Sequence, residues 1–206
     1  MKDNTLQFAV EDLEVRRGQA PLIKDLSFEL TGGQRALIVG SNGSGKTSLL
    51  RILTGLAPMA AGDVRLNNIP IRQWTFEQRA QIAYRGHQEA LKLDMSAAEN
   101  VQFVAALHDR AVDLAETFDE LQLGSAMNRP VRYLSAGQKR RVGLAILKAT
   151  GASLWLLDEP ITNLDGEGRE LVKRWLNRHC ENGGMAVIAT HNPDQLEAPH
   201  TMLVEL

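Results

Sequence analysis

The stretch GSNGSGKT, Gly40 to Thr47, fits the frame G-x-x-x-x-G-K-[ST], and its flanks decide how it folds. Leu37-Ile38-Val39 before it reads as a strand, and Ser48-Leu49-Leu50-Arg51-Ile52-Leu53 after it reads as a helix. A strand, a glycine-rich turn and a helix N-terminus are what a phosphate-binding loop requires. Glycines let the backbone bend until successive N–H groups face anionic oxygens, and the helix dipole adds positive potential at the same point. The candidate contacts run through Gly40, Ser41, Asn42, Gly43, Ser44, Gly45, Lys46, Thr47 and Ser48. Lys46 would reach the β- and γ-phosphates of a nucleotide, and the Thr47 hydroxyl would ligate Mg²⁺.

The rest of the chain bounds what such a loop can serve. Its 206 residues can bury one good core, so the reading is a single domain, 1–206, with room for a subdomain. A net charge of −2 gives no global basic excess, which speaks against nucleic acid as a partner. No apolar run approaches the roughly 18 residues of a membrane span, and MKDNTLQFAV lacks the apolar centre of a signal peptide. Any work at a membrane therefore goes through a partner. The single cysteine, Cys180, excludes an internal disulfide and a Cys-rich metal cluster.

The order of elements points to an α/β fold. LQFAV, LEVRR and LSFEL read as strand pieces around Gly18 and Pro21, and AAGDVRLNNIPI as a β segment turning at Asn67-Asn68. SAAENVQFVAALHDR and VDLAETFDELQL carry helical spacing of apolar residues. GQKRRVGLAILKA, SLWLLD, EGRELVKRWLNRHCE and MAVIAT then alternate helix and strand. The unbroken run Leu154-Trp155-Leu156-Leu157 suits a strand of a parallel sheet covered on both faces.

A phosphate loop needs a second half. LWLLDEP delivers Asp158 and Glu159 at the C-terminal end of a strand, where open α/β sheets place their ligands. Asp158 is placed to hold the Mg²⁺ shell, and Glu159 to orient or deprotonate an attacking water, so the pair argues for hydrolysis. LSAGQ, Leu134 to Gln138, has two compatible readings. Ser135 with Gln138 three residues later is a capping box that starts a helix, and a capped N-terminus beginning near Gly137 is also an anion site.

The order of phosphate loop, lone glutamine Gln88 after a strand, LSAGQ, LLDEP, and His191 after another strand resembles the ATP-binding-cassette ATPases over nearly the whole chain. That resemblance implies a P-loop NTPase with a parallel-sheet core, an N-terminal antiparallel β subdomain and a helical subdomain inserted at about 89–135. It implies ATP and Mg²⁺ as ligands, and a head-to-tail homodimer in which Ser135, Gly137 and Gln138 meet the nucleotide on the partner's Lys46. Glu159, His191 and Gln88 would be catalytic, with Thr47, Gln88 and Asp158 around the metal. Asp165 would lie in the loop that crosses the dimer interface. Ala136 stands where glycine is commonest, a small change. Arg16 and Arg17 stand where an aromatic usually stacks on adenine, which leaves ATP over GTP open, although a guanidinium plane also stacks on bases.

Within that family, the compact chain with GSNGSGKTSLLRILTGL, GHQ, LSAGQKRRV and NGGMAVIATHNP resembles the ATP-binding subunits of haem exporters used in bacterial cytochrome c maturation. This implies a peripheral subunit on the cytoplasmic face of the inner membrane, partnered by two membrane permease proteins. Haem is not expected to bind this chain, which has no C-x-x-C-H. The alternatives are the ATPase of another small-substrate exporter, a soluble regulatory cassette protein, and a phosphate-loop kinase or GTPase acting alone; LSAGQ speaks against the last.

Overall fold

A computed structural model describes residues 6–86 and 90–206. The chain is α/β, as the alternation predicts, and its residue contacts group into two units. The first comprises residues 1–86, 153–160 and 176–206, and the second comprises 87–152 and 161–175.

Two sheets make the first unit. An antiparallel sheet has the order β2-β1-β4-β5, from β1 (Gln7–Arg17), β2 (Ala20–Thr31), β4 (Ala61–Leu66) and β5 (Ile69–Pro70). The pieces LQFAV and LEVRR are one strand, not two. The interruption between them is a bulge at Glu11 and Asp12, with Asp12 at φ 46, across which the pairing with β2 and β4 shifts register. Asn67 and Asn68, at φ 50 and 64, turn β4 into β5, the left-handed pair that a tight hairpin requires.

The second sheet is parallel, in the order β6-β7-β8-β3-β9, from β3 (Arg35–Val39), β6 (Ile82–Arg85), β7 (Leu154–Asp158), β8 (Met185–Thr190) and β9 (Thr201–Glu205). Every residue of β7 and β8 is buried, which is why these strands read as continuous apolar runs. β9 had no counterpart in the sequence reading: TMLVE is an edge strand with only Val204 buried, so it shows too little apolar pattern to announce itself. Phe8, Leu13, Leu49, Leu53, Leu156 and Val187 belong to one core that spans both sheets and α1 (Lys46–Leu53), and a short helix, α2 (Phe76–Ala80), leads into β6.

The second unit is mainly helical. α3 (Ala97–Leu107) and α4 (Leu114–Glu120) fall where the acidic, helix-spaced stretch predicted them, and α5 (Ala136–Thr150) follows LSAGQ. Buried Asn100 ties the unit together locally: its side chain accepts from Lys92 N and donates to the carbonyls of Lys92 and Ser96. α6 (Gly166–Glu181) begins in this unit and ends in the first.

Candidate functional site

The phosphate loop joins β3 to α1, the strand and helix that its flanks predicted. Its shape depends on glycine at two points. Gly45 is the N-cap of α1 at φ 109, a left-handed conformation that side chains resist, and a Cβ at Gly40 would sit 2.7 Å from Ser44 Oγ. No side chain caps α1, so its first N–H groups keep no side-chain acceptor. Ser44 Oγ is buried and has no hydrogen-bond partner among the described residues. The buried Lys46 donates from Nζ to the carbonyls of Gly40 and Ser41, at 2.6 and 3.0 Å. The loop thus folds around its own cation, with donors left over for an anion. Ser41, Asn42 and Gly43 are exposed on its outer side.

The carboxylates come from the far end of β7. Thr47 Oγ1 donates to Asp158 Oδ2 at 2.7 Å, across 111 residues of sequence. Asp158 is 4% exposed and Glu159 8%. Glu159 adopts φ 51, uncommon for a non-glycine residue and a cost held in place by the fold. Its N–H donates to Ala189 O on β8, which fixes the turn. From the end of β8, His191 Nδ1 lies 2.9 Å from Glu159 Oε1. An ionised carboxylate only accepts, so in this contact Nδ1 is the donor. Thr47, Asp158, Glu159 and His191, dispersed in sequence, are therefore brought together beside Lys46.

Gln88 and its neighbour His87 lie outside the described residues. Tyr84, on β6, was not among the residues singled out from sequence. Burial and then the charge of Asp158 raise its phenol above the usual value, with Arg51 pulling the other way. A lone tyrosine on a strand carries no sequence signal, and only β6 pairing beside β7 brings it near Asp158.

In the second unit, Ser135 is the N-cap of α5: Ser135 Oγ accepts from Gln138 N at 3.1 Å, and Ser135 N donates to Gln138 Oε1 at 3.0 Å. The capping-box reading is thus met in full. Ser135 and Ala136 are exposed, and a Cβ at Gly137 would meet nothing nearer than Ser135 Oγ at 4.0 Å, so this N-terminus is open. Asp165 Oδ1 accepts from Gly168 N at 2.7 Å at the start of α6, the same kind of cap. At the end of β1, Arg16 donates from Nε to Glu14 Oε1 at 2.7 Å, and Arg17 is exposed. The pairing Val15↔Ile23, together with Ile23 lying 3.4 Å from where a Gly45 Cβ would stand, sets this hairpin end near the phosphate loop.

The phosphate-loop donors suit a polyphosphate, and the Thr47 hydroxyl and Asp158 carboxylate are hard oxygen donors of the kind that Mg²⁺ takes together with substrate phosphates. Among the described residues no helix is long and apolar enough to cross a membrane.

Known proteins resemble this chain in sequence and in fold. The family model described as ABC transporter matches residues 23–162. The cytochrome c biogenesis ATP-binding export protein CcmA of Haemophilus ducreyi is 38% identical over 97% of this chain and 96% of its own. The protein of the same name from Nitrosospira multiformis is 42% identical over 87% of this chain and 89% of its own. Among solved structures, an ABC transporter ATP-binding protein from Pyrococcus furiosus superposes with a TM-score of 0.82 over 97% of both chains at 22% identity, which speaks to the fold alone.

Proposed function

The chain belongs to the ABC transporter family of ATP-binding proteins, and from that premise we propose that it is the ATP-hydrolysing subunit of a membrane complex serving cytochrome c biogenesis, with haem as the cargo. ATP binding and hydrolysis coupled to transport follow from the family. The relatives at about this length are named as export proteins of cytochrome c biogenesis, which supports the narrower reading over a soluble regulatory role. The observation that carries the chemistry is the meeting of Thr47 with Asp158 and of Glu159 with His191 beside the Lys46 loop.

In this reading the loop from Gly40 to Ser48 holds the phosphates through backbone N–H groups, and Lys46 leaves its two carbonyls for the β- and γ-oxygens. Thr47 and Asp158 would hold Mg²⁺, with Gln88 as a further oxygen donor; when bound, the ion neutralises charge on the β- and γ-phosphates. Glu159 orients the attacking water and accepts its proton. With a proton on each ring nitrogen, His191 would donate from Nε2 to the γ-phosphate and from Nδ1 to Glu159, so one ring would position both the base and the phosphoryl group. Gln88 contacts the water and signals occupancy. The Arg16 and Arg17 guanidinium planes offer a stacking surface to the base, adenine included.

Ser135, Gly137 and Gln138 act on the nucleotide held by a second copy in a head-to-tail homodimer, where the open N-terminus of α5 adds positive potential at the γ-phosphate. The whole chain works as one ATPase domain, with its helical part, about 89–135, as a subdomain. It sits peripherally on the cytoplasmic face of the bacterial inner membrane, on two permease proteins, and haem stays with those partners.

The test is an affinity pull-down of Glu159→Gln from mild-detergent membranes with ATP and Mg²⁺. Co-purification of the cytochrome c maturation membrane proteins, with haem visible by absorbance, is the expected result. A different permease would keep the ATPase and remove the haem assignment, and the absence of any membrane protein would overturn the transport role.

A further inference from the structure

The opposite end of β3 carries a second polar site. β3 begins at Arg35 and ends at Val39, so Arg35 lies about 13 Å along the strand from the start of the phosphate loop. There a cavity of about 410 Å³ opens between the turn before β3, the C-terminal end of α6 and the segment before β9. All of its lining residues belong to the first unit.

Arg35 is 3% exposed, yet among the described residues no carboxylate pairs with it. Its terminal nitrogens donate to Asn177 Oδ1 at 2.8 Å and, at 3.5 Å, to Leu196 O, both neutral, and its Nε–H has no hydrogen-bond partner among the described residues. A guanidinium so deeply buried ordinarily has an anion beside it. The neighbouring amides are committed in one sense only. Asn177 spends its oxygen on Arg35, and Gln34 spends its oxygen on Thr31 N, which leaves the NH₂ group of each as a donor at the cavity.

The same cavity is lined by Glu181, an exposed carboxylate with no ion pair among the described residues. Arg35 and Glu181 thus present opposite charges to one space without pairing with each other. Cys180, also in the lining, is not the reactive element: burial raises its thiol, against the pull of Arg35, so it stays protonated.

We propose that this cavity binds a small zwitterion of the amino-acid class, its carboxylate on Arg35, Gln34 and Asn177 and its ammonium toward Glu181. The complementarity is of charge on both ends and of donors at the inner end. The site is separate from the nucleotide and does not depend on which complex the chain serves.

Three matched probes test it on the full-length, nucleotide-free protein: L-alanine, propionate, which lacks the ammonium, and ethylamine, which lacks the carboxylate. The readout is the NMR shift of the Arg35 Nε–H and of the Gln34 and Asn177 side-chain amides. L-Alanine should shift these signals saturably and bind about tenfold or more tighter than either half, as expected for the loss of one charge-assisted contact.

Glu181→Gln should bring L-alanine down to the level of propionate. Asn177→Asp supplies Arg35 with a carboxylate from within the chain, so it should abolish the alanine response and raise the melting temperature, with ATP turnover unchanged. Signals that do not shift saturably with any probe, equal binding of L-alanine and propionate by the unsubstituted protein, or an undiminished response in Asn177→Asp would each overturn the proposal.

Discussion

The proposed catalytic cradle at the ends of β7 and β8 and the capped start of α5 both present polar groups that the proposed function brings to a nucleotide, but they are built over different distances in sequence. Thr47 and Asp158 meet across 111 residues, and Glu159 and His191 across 32. Ser135 and Gln138 are three residues apart. The cradle therefore exists only when the parallel sheet has formed, whereas the cap is fixed by one turn of backbone. Substitutions in the cradle should act on chemistry and leave the fold standing, because its side chains contribute little to the core. Substitutions in the cap should act first on the helix.

The largest effect expected is at Glu159. Glu159→Gln keeps the shape and the contact to His191 but cannot take a proton, so ATP turnover should fall about a hundredfold or more while ATP binding persists. Turnover at the unsubstituted rate, measured by phosphate release, would remove Glu159 from the base role and break the division between chemical cradle and structural cap.

Thr47 comes next. Thr47→Val leaves the buried Asp158 without its hydroxyl donor, and a lost hydrogen bond to a charged group corresponds to about a tenfold fall or more in Mg²⁺-dependent turnover. Thr47→Ser should keep most of the rate. A titration of turnover against Mg²⁺ separates the two, since only the valine variant should need more metal.

Ser135→Ala sharpens the other side of the comparison. It removes the acceptor for Gln138 N and should cost about 1 kcal/mol in denaturant unfolding. Ser135→Asp restores a cap and should recover that stability. The proposed encounter with the partner's γ-phosphate predicts that it will not recover turnover, because a carboxylate there repels phosphate. Turnover that tracks stability in both variants would reduce Ser135 to a cap.

The same difference in sequence distance governs what could be read from the chain. GSNGSGKT, LSAGQ and LWLLDEP are local, each carrying its own glycine, cap or strand signal, and each lies on the expected element. Asp158 and Glu159 stand out in the sequence because an apolar run of strand length ends on them. Tyr84 and β9 were not found, because Tyr84 approaches Asp158 only through the pairing of β6 with β7, and β9 is an edge strand with little apolar pattern. The merging of two strand pieces into β1 was hidden for a related reason: a bulge at Glu11 and Asp12 looks like a turn in sequence and costs only a shift of register in the sheet.

His179 provides the smallest and most specific test; it is a residue of neither proposed site, although Asn177, Cys180 and Glu181 beside it on α6 line the cavity. Its ring stacks on Trp155 at 3.9 Å and 9° between planes, and its Nε2 donates to Met185 O at 3.0 Å, joining α6 to the start of β8. Burial lowers its pKa, outweighing the carbonyls of Met185 and Ser153, which raise it; Arg35 adds to the lowering. The folded protein thus prefers the neutral ring. Its contribution is fully present above the ordinary histidine value of about 6.5 and is lost as pH falls below it, because the unfolded chain takes up the proton first. Between pH 7 and pH 6 that loss is at most about 0.7 kcal/mol. His179→Phe keeps the stack and removes the titration, so urea unfolding of this variant should lose less stability than the unsubstituted protein over that interval. Parallel slopes would place the pH dependence elsewhere and leave His179 with packing alone.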